Sequence, residues 1–384
     1  MLLLHPSAAL ETGSDVDRVI SYHSTGRTDR RIRSVFALGR AAVRLFFENF
    51  VRLFVISVVL LLFVVSSSSA SAQATPDPVA VVRGLPAPGS AEAIGLCPDV
   101  GERPEVYTAR DGSGLAGRLS RAGYRVYLVD PWNTTEARSE GFDGVVQHVF
   151  PELLRALAER SGTGKVVWIG HGLCGMLPIA AAARPGEALP LGRWISLGTR
   201  LEPSLPSPLL LQWIDGWVSD EVPLPGLVRR LLLTGLRDSM GPRTSSVPPA
   251  LEGDGQADEL VGRWFQDQLL SPPPQEVIKD MQRWFRTGRM ADRAGWIDYS
   301  SGLAGVGGPA LLVAGSTDTV APPESMLSGF DTLRAATDAT YHLLSRVQGD
   351  REEYGHLGML LSRHSARDVD PMIVAWLRGR AVLP

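Results

Sequence analysis

Three residues of this chain have side chains suited to nucleophilic chemistry. Asp318 follows an apolar run, His356 lies in a Tyr-Gly-His stretch, and Cys174 lies in the glycine-rich stretch 170–175. An imidazole can take the proton of a hydroxyl or thiol, and a carboxylate can orient the imidazole. A carboxylate, an imidazole and a thiol are therefore the parts from which such a site would be built.

The elements that must position these residues alternate between strand and helix. Short apolar runs rich in β-branched residues predict buried strands, which parallel sheets covered on both faces contain. The predicted strands are 91–96, 125–130, 165–170, 193–198, 310–315 and 341–345. Amphipathic segments predict helices over 112–122, 142–160, 174–183, 322–336 and 366–378. The pattern predicts an α/β fold with a mainly parallel sheet and helices on both faces.

The first 90 residues have a composition unlike that of the rest. Residues 1–35 are polar and Arg-rich, which predicts a disordered basic N-terminus. Residues 36–74 combine a basic flank, the uncharged run 53–65 and a Ser/Ala-rich stretch, as a signal peptide does. An uncleaved membrane anchor through residues 53–65 is the alternative, although the run is short for a bilayer span. Residues 75–90, rich in Pro and Gly, predict a linker.

The remaining sequence predicts a core that an insertion divides. The core comprises 91–202 and 276–384, and the insertion 203–275 is rich in proline, leucine and tryptophan. We expect this insertion to be a helical cap over a small apolar ligand. The formal net charge of −3 gives no reason to expect a nucleic-acid partner. We see no metal-ligand spacing and expect no cofactor.

Several stretches resemble α/β-hydrolases of the polyhydroxyalkanoate synthase and related acyl-hydrolase type. They are Leu115–Tyr124, Val167–His171, Ile278–Gly288, Gly315–Glu324 and Tyr354–Leu361. The resemblance implies the α/β-hydrolase fold, His356 as the general base and Asp318 as the carboxylate that orients it. It also implies an acyl-type ligand.

The chain departs from this pattern where the nucleophile belongs. In the G-x-S-x-G elbow of α/β-hydrolases, the serine lies on a tight turn between a strand and a helix. When Gly170 is aligned with the first elbow glycine, Gly172 takes the place of the serine and Cys174 that of the last glycine. Gly172 has no atom that can attack. It also adopts the positive φ of an elbow without the strain that another residue would carry.

The predicted oxyanion hole departs from the pattern too. After the corresponding strand, family members usually carry His-Gly, whereas this chain has Ile94-Gly-Leu-Cys-Pro-Asp99. Pro98 has no N–H to donate. The N–H of Leu173, directly after the elbow position, remains a candidate donor.

Cys174 allows two further interpretations. A shift of register by two residues would make it a cysteine nucleophile, as in polyhydroxyalkanoate synthases, but Met176 then stands where a glycine belongs. Alternatively, Cys97 and Cys174, the only cysteines, either form a disulfide, which an exported protein permits, or stay free and buried.

Together these features predict an exported (periplasmic or extracellular) or membrane-anchored protein of the α/β-hydrolase fold. We expect a non-catalytic or impaired pseudo-hydrolase that binds an acyl-type ligand. The alternative is an active acyl hydrolase or acyltransferase that uses Cys174, or water activated by His356.

Overall fold

The structure is a computed structural model that describes part of the chain. The described residues are 83–84, 92–108, 114–186, 188–202 and 271–379. The predicted disordered N-terminus, the signal peptide or anchor, most of the linker and nearly all of the cap lie outside these residues. Within them, no helix has both the length and the apolar character that crossing a bilayer requires.

In the described residues, seven strands form one sheet in the order β1-β3-β2-β4-β5-β6-β7. The strands from β2 to β7 pair in parallel, and only the short β1 pairs antiparallel, with β3. Their bounds are β1 Arg83–Gly84, β2 Ala93–Cys97, β3 Arg125–Leu128, β4 Val166–His171, β5 Leu191–Leu197, β6 Ala310–Gly315 and β7 Ala339–Leu344. The mainly parallel sheet predicted from the sequence is confirmed.

The central strands are buried on both faces. Every residue of β2, β4 and β6 is buried. Because successive side chains of a strand point to opposite faces, each strand contributes to two cores. Ile94 and Ile169 pack in one of them, and Trp168 and Leu312 pack in the other.

Helices cover both faces of the sheet. The α-helices are α1 Leu115–Arg121, α2 Thr135–Ser139, α3 Gly141–Gly144, α4 Phe150–Ser161, α5 Leu177–Ala182, α6 Gln275–Thr287, α7 Pro323–Ala336, α8 Gly358–Leu361 and α9 Ser365–Leu377. Short 3-10 helices span Pro104–Tyr107, Pro131–Asn133, Gly172–Met176, Tyr299–Ala304 and Arg346–Gln348. Residues of α1 and α9 pack in one core, and residues of α4 and α5 in the other.

Two predicted helices differ from the structure. The helix predicted over 142–160 is interrupted by a π-helical turn, Val145–Val149, in which the N–H of Phe150 donates to Val145. Pro151 has no N–H for the carbonyl four residues earlier, so the regular ladder cannot continue there. The helix predicted over 174–183 begins as the 3-10 helix Gly172–Met176, and α5 starts only at Leu177.

The carboxyl ends of β2, β4, β6 and β7 lie at one edge of the sheet because these strands are parallel. The loops that follow them carry Asp99, Gly172, Asp318 and His356, respectively. Open α/β folds place their sites at this edge.

Candidate functional site

Asp318 lies in a turn that fixes its carboxylate before any partner is considered. The turn follows β6, and the Asp318 N–H donates to the carbonyl of Gly315 at 3.1 Å. Oδ1 accepts hydrogen bonds from the N–H groups of Val320 and Ala321, both at 2.8 Å. Oδ2 is thereby left for a different partner.

That partner is His356. Its Nδ1 lies 2.9 Å from Oδ2 of Asp318. The two loops are tied together by the N–H of Thr317, which donates to the carbonyl of Tyr354 at 3.0 Å. Both side chains are buried. Because the carboxylate accepts from Nδ1, this nitrogen carries a hydrogen, and Nε2 faces the elbow.

Gly172 directly follows β4 and has a φ of +52°. This is the left-handed region that a nucleophile elbow imposes, and glycine occupies it without strain. A Cβ added to Gly172 would overlap the carboxylate of Asp99. Any side chain at this position therefore competes with Asp99 for the same space.

Gly172 has no side chain that could reach His356, and the space beside it is filled from another loop. Asp99, from the loop after β2, places its carboxylate there, with Oδ2 3.1 Å from Nε2 of His356. Oδ1 accepts the N–H of Leu173 at 2.6 Å and the N–H of Val100 at 2.8 Å. The candidate oxyanion donor Leu173 is thus already engaged, by a carboxylate of the protein itself.

Sequence reasoning missed Asp99, although a signal was present. Asp99 directly follows Pro98, in the loop where the family carries its oxyanion residues. A carboxylate in that loop, combined with a glycine at the nucleophile position, indicates that the Asp99 side chain occupies the volume that an elbow side chain would fill.

Cys174 is bonded to Cys97, with their Cα atoms 5.8 Å apart. The interpretation of Cys174 as a nucleophile is therefore wrong for this structure, because its sulfur is not a free thiol and the residue is fully buried. The disulfide instead joins the Asp99 loop to the turn that follows β4. Two side chains hold the same loop. The Tyr107 hydroxyl donates to the carbonyl oxygen of Cys97 at 2.6 Å, and the indole N–H of Trp132 donates to the carbonyl oxygen of Pro98 at 2.9 Å.

A second imidazole and carboxylate lie behind the first pair. Nδ1 of His171 lies 3.0 Å from Oε2 of Glu102, and the two histidine rings are 4.3 Å apart. Glu102, His171 and His356 are the one group of the described residues whose spacing suits a metal ion. Both nitrogens of each imidazole already have a protein partner, so we do not assign these residues as metal ligands.

Opposing effects set the charge of the pair that faces the elbow. Burial alone would lower the pKa of His356, but the charge and hydrogen bond of Asp318, together with those of Asp99, raise it well above its usual 6.5. Burial would raise the pKa of Asp99, but the hydrogen bond and charge of His356 outweigh it, so that pKa is lowered from 3.8. Both shifts favour the charged forms of His356 and Asp99.

The elbow position of this arrangement carries no nucleophilic side chain. Acyl transfer through an elbow nucleophile requires a hydroxyl or thiol, a neutral imidazole and donors that are free to bind the oxyanion. Here the elbow residue is a glycine, and Asp99 occupies the N–H of Leu173. What the site does present is a carboxylate oxygen with a proton carrier beside it.

No protein-family model matches the chain, and no curated protein matches it by sequence. Solved structures match by fold. The enol-lactonase from Burkholderia xenovorans has a TM-score of 0.51 at 16% identity, over 77% of this chain and 95% of that one. An esterase from Exiguobacterium antarcticum has 0.50 at 15% (77% and 94%), and a bromoperoxidase from Bacillus anthracis has 0.50 at 13% (77% and 94%). At these identities the likeness establishes the α/β-hydrolase fold, but not the polyhydroxyalkanoate synthase branch.

Proposed function

We propose that this chain is a hydrolase whose nucleophile is the carboxylate of Asp99, acting on a saturated carbon. The observation that carries the proposal is the double placement of this carboxylate. Oδ2 lies 3.1 Å from Nε2 of His356, while Oδ1 rests on the N–H groups of Leu173 and Val100. One oxygen is held by the backbone, and the other faces the proton carrier.

The occupied donors favour an alkyl over an acyl substrate. Attack on an ester carbonyl places negative charge on the substrate oxygen, which needs donors of its own. In this site those donors bind Oδ1 of Asp99. Displacement at a saturated carbon creates no oxyanion at the attacked centre. A halide leaves without a proton, and an epoxide oxygen can take its proton from His356, so the reaction can proceed with the donors engaged. The geometry therefore favours alkyl halides or epoxides over acyl esters.

In the first step, a lone pair of Asp99 Oδ2 forms a bond to the saturated carbon. The bond from that carbon to its leaving group breaks, and the leaving group departs with the electron pair as halide or alkoxide. An epoxide alkoxide takes the proton of the His356 imidazolium, whereas a halide needs no proton. The product is an alkyl ester of Asp99.

In the second step, water attacks Cγ of Asp99 and gives a proton to Nε2 of His356. The charge that develops on Oδ1 lies where the N–H groups of Leu173 and Val100 already point. When the tetrahedral intermediate collapses, the bond from Cγ to the alkyl oxygen breaks. The alcohol leaves with the proton from His356, and the remaining acid proton of Asp99 passes to Nε2 of His356, which restores the imidazolium and the carboxylate of the resting pair.

The charge on Asp99 couples these two steps. At rest, the carboxylate contributes to the raised pKa of His356. Esterification removes that charge, so the pKa of His356 falls and, after a halide has left, the imidazolium can release its proton. A neutral imidazole is what the second step needs, and Asp318 keeps its Nδ1 protonated.

The pseudo-hydrolase predicted from the sequence is the second candidate. The observation that favours it is the ion pair between His356 and Asp99, which fills the nucleophile position at rest. In this reading the site is closed to chemistry, and an acyl-type ligand binds beyond it, under the cap.

A trapping experiment distinguishes the two candidates. His356→Gln removes the base that activates water, so an ester formed at Asp99 should accumulate. We would treat this variant with iodomethane, whose iodide leaves without a proton from His356, and map adducts by peptide mass spectrometry. The adduct should be lost with Asp99→Asn and kept with Asp130→Asn, which removes a carboxylate just beyond the neighbouring strand β3. Absence of an adduct at Asp99 would favour the pseudo-hydrolase.

We also propose that the protein is exported, either with cleavage before residue 75 or with an anchor at residues 53–65. The Cys97–Cys174 disulfide supports this, because such bonds persist in oxidising compartments. Cell fractionation with N-terminal sequencing of the mature chain tests both forms. A full-length chain with free thiols in the cytosol would contradict the proposal.

A further inference from the structure

Glu102 and His171 make three hydrogen bonds that link the two halves of the site. Oε2 of Glu102 accepts the backbone N–H of Asp99 at 3.0 Å. The same oxygen lies 3.0 Å from Nδ1 of His171. Nε2 of His171 lies 3.1 Å from the carbonyl oxygen of His356. The chain of contacts therefore begins at the backbone of Asp99 and ends at the backbone of His356.

The hydrogens in this chain follow from the acceptors. A carbonyl oxygen only accepts, so Nε2 of His171 carries a hydrogen. Oε2 of Glu102 already accepts from Asp99, and it shares one further hydrogen with Nδ1 of His171. Each of these polar atoms thereby has a partner, although both residues are buried.

We infer that Glu102 and His171 are positioning residues, which set the approach of the Asp99 carboxylate to His356. Leu173 and Val100 hold Oδ1 of Asp99, and the Cys97–Cys174 disulfide joins the Asp99 loop to the turn after β4, but none of these contacts reaches the loop that carries His356. The Glu102–His171 bond, continued by the bond from His171 to the His356 carbonyl, connects the Asp99 loop to that loop. The inference rests on the role proposed for Asp99, but it concerns geometry that can be measured without a substrate.

The pKa of His356 reports this geometry. The ionisable groups that face its ring are Asp318, Asp99, the ring of His171 and the carboxylate of Glu102, which has an oxygen within 4.8 Å of a ring nitrogen of His356. If His171→Phe acted only by taking the imidazole hydrogen bond from the Glu102 carboxylate, the pKa of His356 would rise. If His171 holds the two loops together, its loss lets Asp99 recede, and the pKa falls. The two explanations therefore predict opposite signs.

The experiment is a titration of His356 by NMR in the full chain with ¹⁵N-labelled histidine. We expect His171→Phe to lower the pKa of His356 toward its usual range by about one unit, a tenfold change in proton affinity. His148→Phe is the matched control, because His148 forms an exposed pair with Glu140 at 3.6 Å, and it should leave the titration of His356 unchanged.

A second variant covers the case in which His171→Phe does not fold. Glu102→Asp keeps the charge but shortens the side chain by one methylene, so it withdraws the carboxylate from His171. A fall in the pKa of His356 supports the inference, because the charge is retained. An unchanged or raised pKa in whichever variant folds would overturn it. If the pKa of His356 falls as expected but the trapping experiment gives no adduct at Asp99, the proposed role of Asp99 as nucleophile is refuted. The positioning role of Glu102 and His171 is then still supported.

Discussion

Gly172→Ser tests most directly whether the Asp99 carboxylate occupies the volume of an elbow side chain. The new Cβ would overlap the Asp99 carboxylate, and the residue would be forced to a φ of +52°. The backbone strain costs about 1–3 kcal/mol. Displacing Asp99 weakens its bonds to Leu173 and His356, and a hydrogen bond to a charged group contributes about 1.5–3 kcal/mol. We therefore expect a loss of about 3–5 kcal/mol in the free energy of unfolding.

A matched control separates the strain from the overlap. Gly162 also has a positive φ, +68°, but a Cβ there would meet nothing within 4 Å. Gly162→Ser should therefore cost only the strain, about 1–2 kcal/mol. The assay is urea denaturation followed by far-UV circular dichroism, with oxidised protein throughout.

A double-mutant cycle then identifies Asp99 as the cause. Asp99→Ala removes the overlapping carboxylate, so Gly172→Ser should cost about 2 kcal/mol less in that background than in the wild type. Gly162→Ser should show no such coupling. The double variant also places a hydroxyl near His356, and we expect it to react with a fluorophosphonate where Gly172→Ser alone does not. Equal costs at positions 172 and 162, or additive effects in the cycle, would refute the placement of Asp99.

Three further predictions concern the same site. The pKa of His356 is raised in the folded state, so the stabilisation that its charged form gives the fold is present below pH 6.5 and is lost as the pH rises through the folded pKa. Asp99→Asn should reduce this loss, measured as the change of the urea midpoint with pH. Replacing Cys97 and Cys174 together with alanine opens a loop of sequence separation 77 and should cost about 4 kcal/mol, measured against the oxidised protein. Tyr107→Phe removes the donor to the Cys97 carbonyl and should cost about 1 kcal/mol; no change would show that water replaces the hydroxyl.

The sequence predicted the elements that depend on local pattern. The strand before Gly172 and the strand before Asp318 are continuous apolar runs, so their burial and parallel pairing follow from composition. Asp318 and His356 were identified because each lies in a local motif of the resembled family. In the structure, Nδ1 of His356 lies 2.9 Å from Oδ2 of Asp318.

Asp99 could not be placed in the same way, because its role depends on a contact between distant parts of the chain. Neither Asp99 nor Gly172 is unusual by itself, since a turn accepts both residues readily. Only the contact between them in the structure shows that the Asp99 carboxylate fills the volume that Gly172 leaves empty. The start of α5 was predicted three residues too early for a related reason. The 3-10 helix Gly172–Met176 is part of the elbow, and the periodicity of the sequence does not distinguish it from the first turn of an α-helix.

The position of Asp99 also explains how a loop other than the elbow can supply the proposed nucleophile in the same fold. β2 and β4 are neighbours in the sheet, and Cys97 pairs with Gly170, so both strands end at the same height. A side chain from either loop therefore reaches the point that His356 faces. The origin of the side chain nevertheless changes the chemistry. A serine on the elbow leaves the N–H of Leu173 free for a substrate oxygen, whereas Asp99 arrives from the oxyanion loop and takes that N–H for itself. Under the proposed function, the loop that supplies the nucleophile therefore determines whether a carbonyl or a saturated carbon can react.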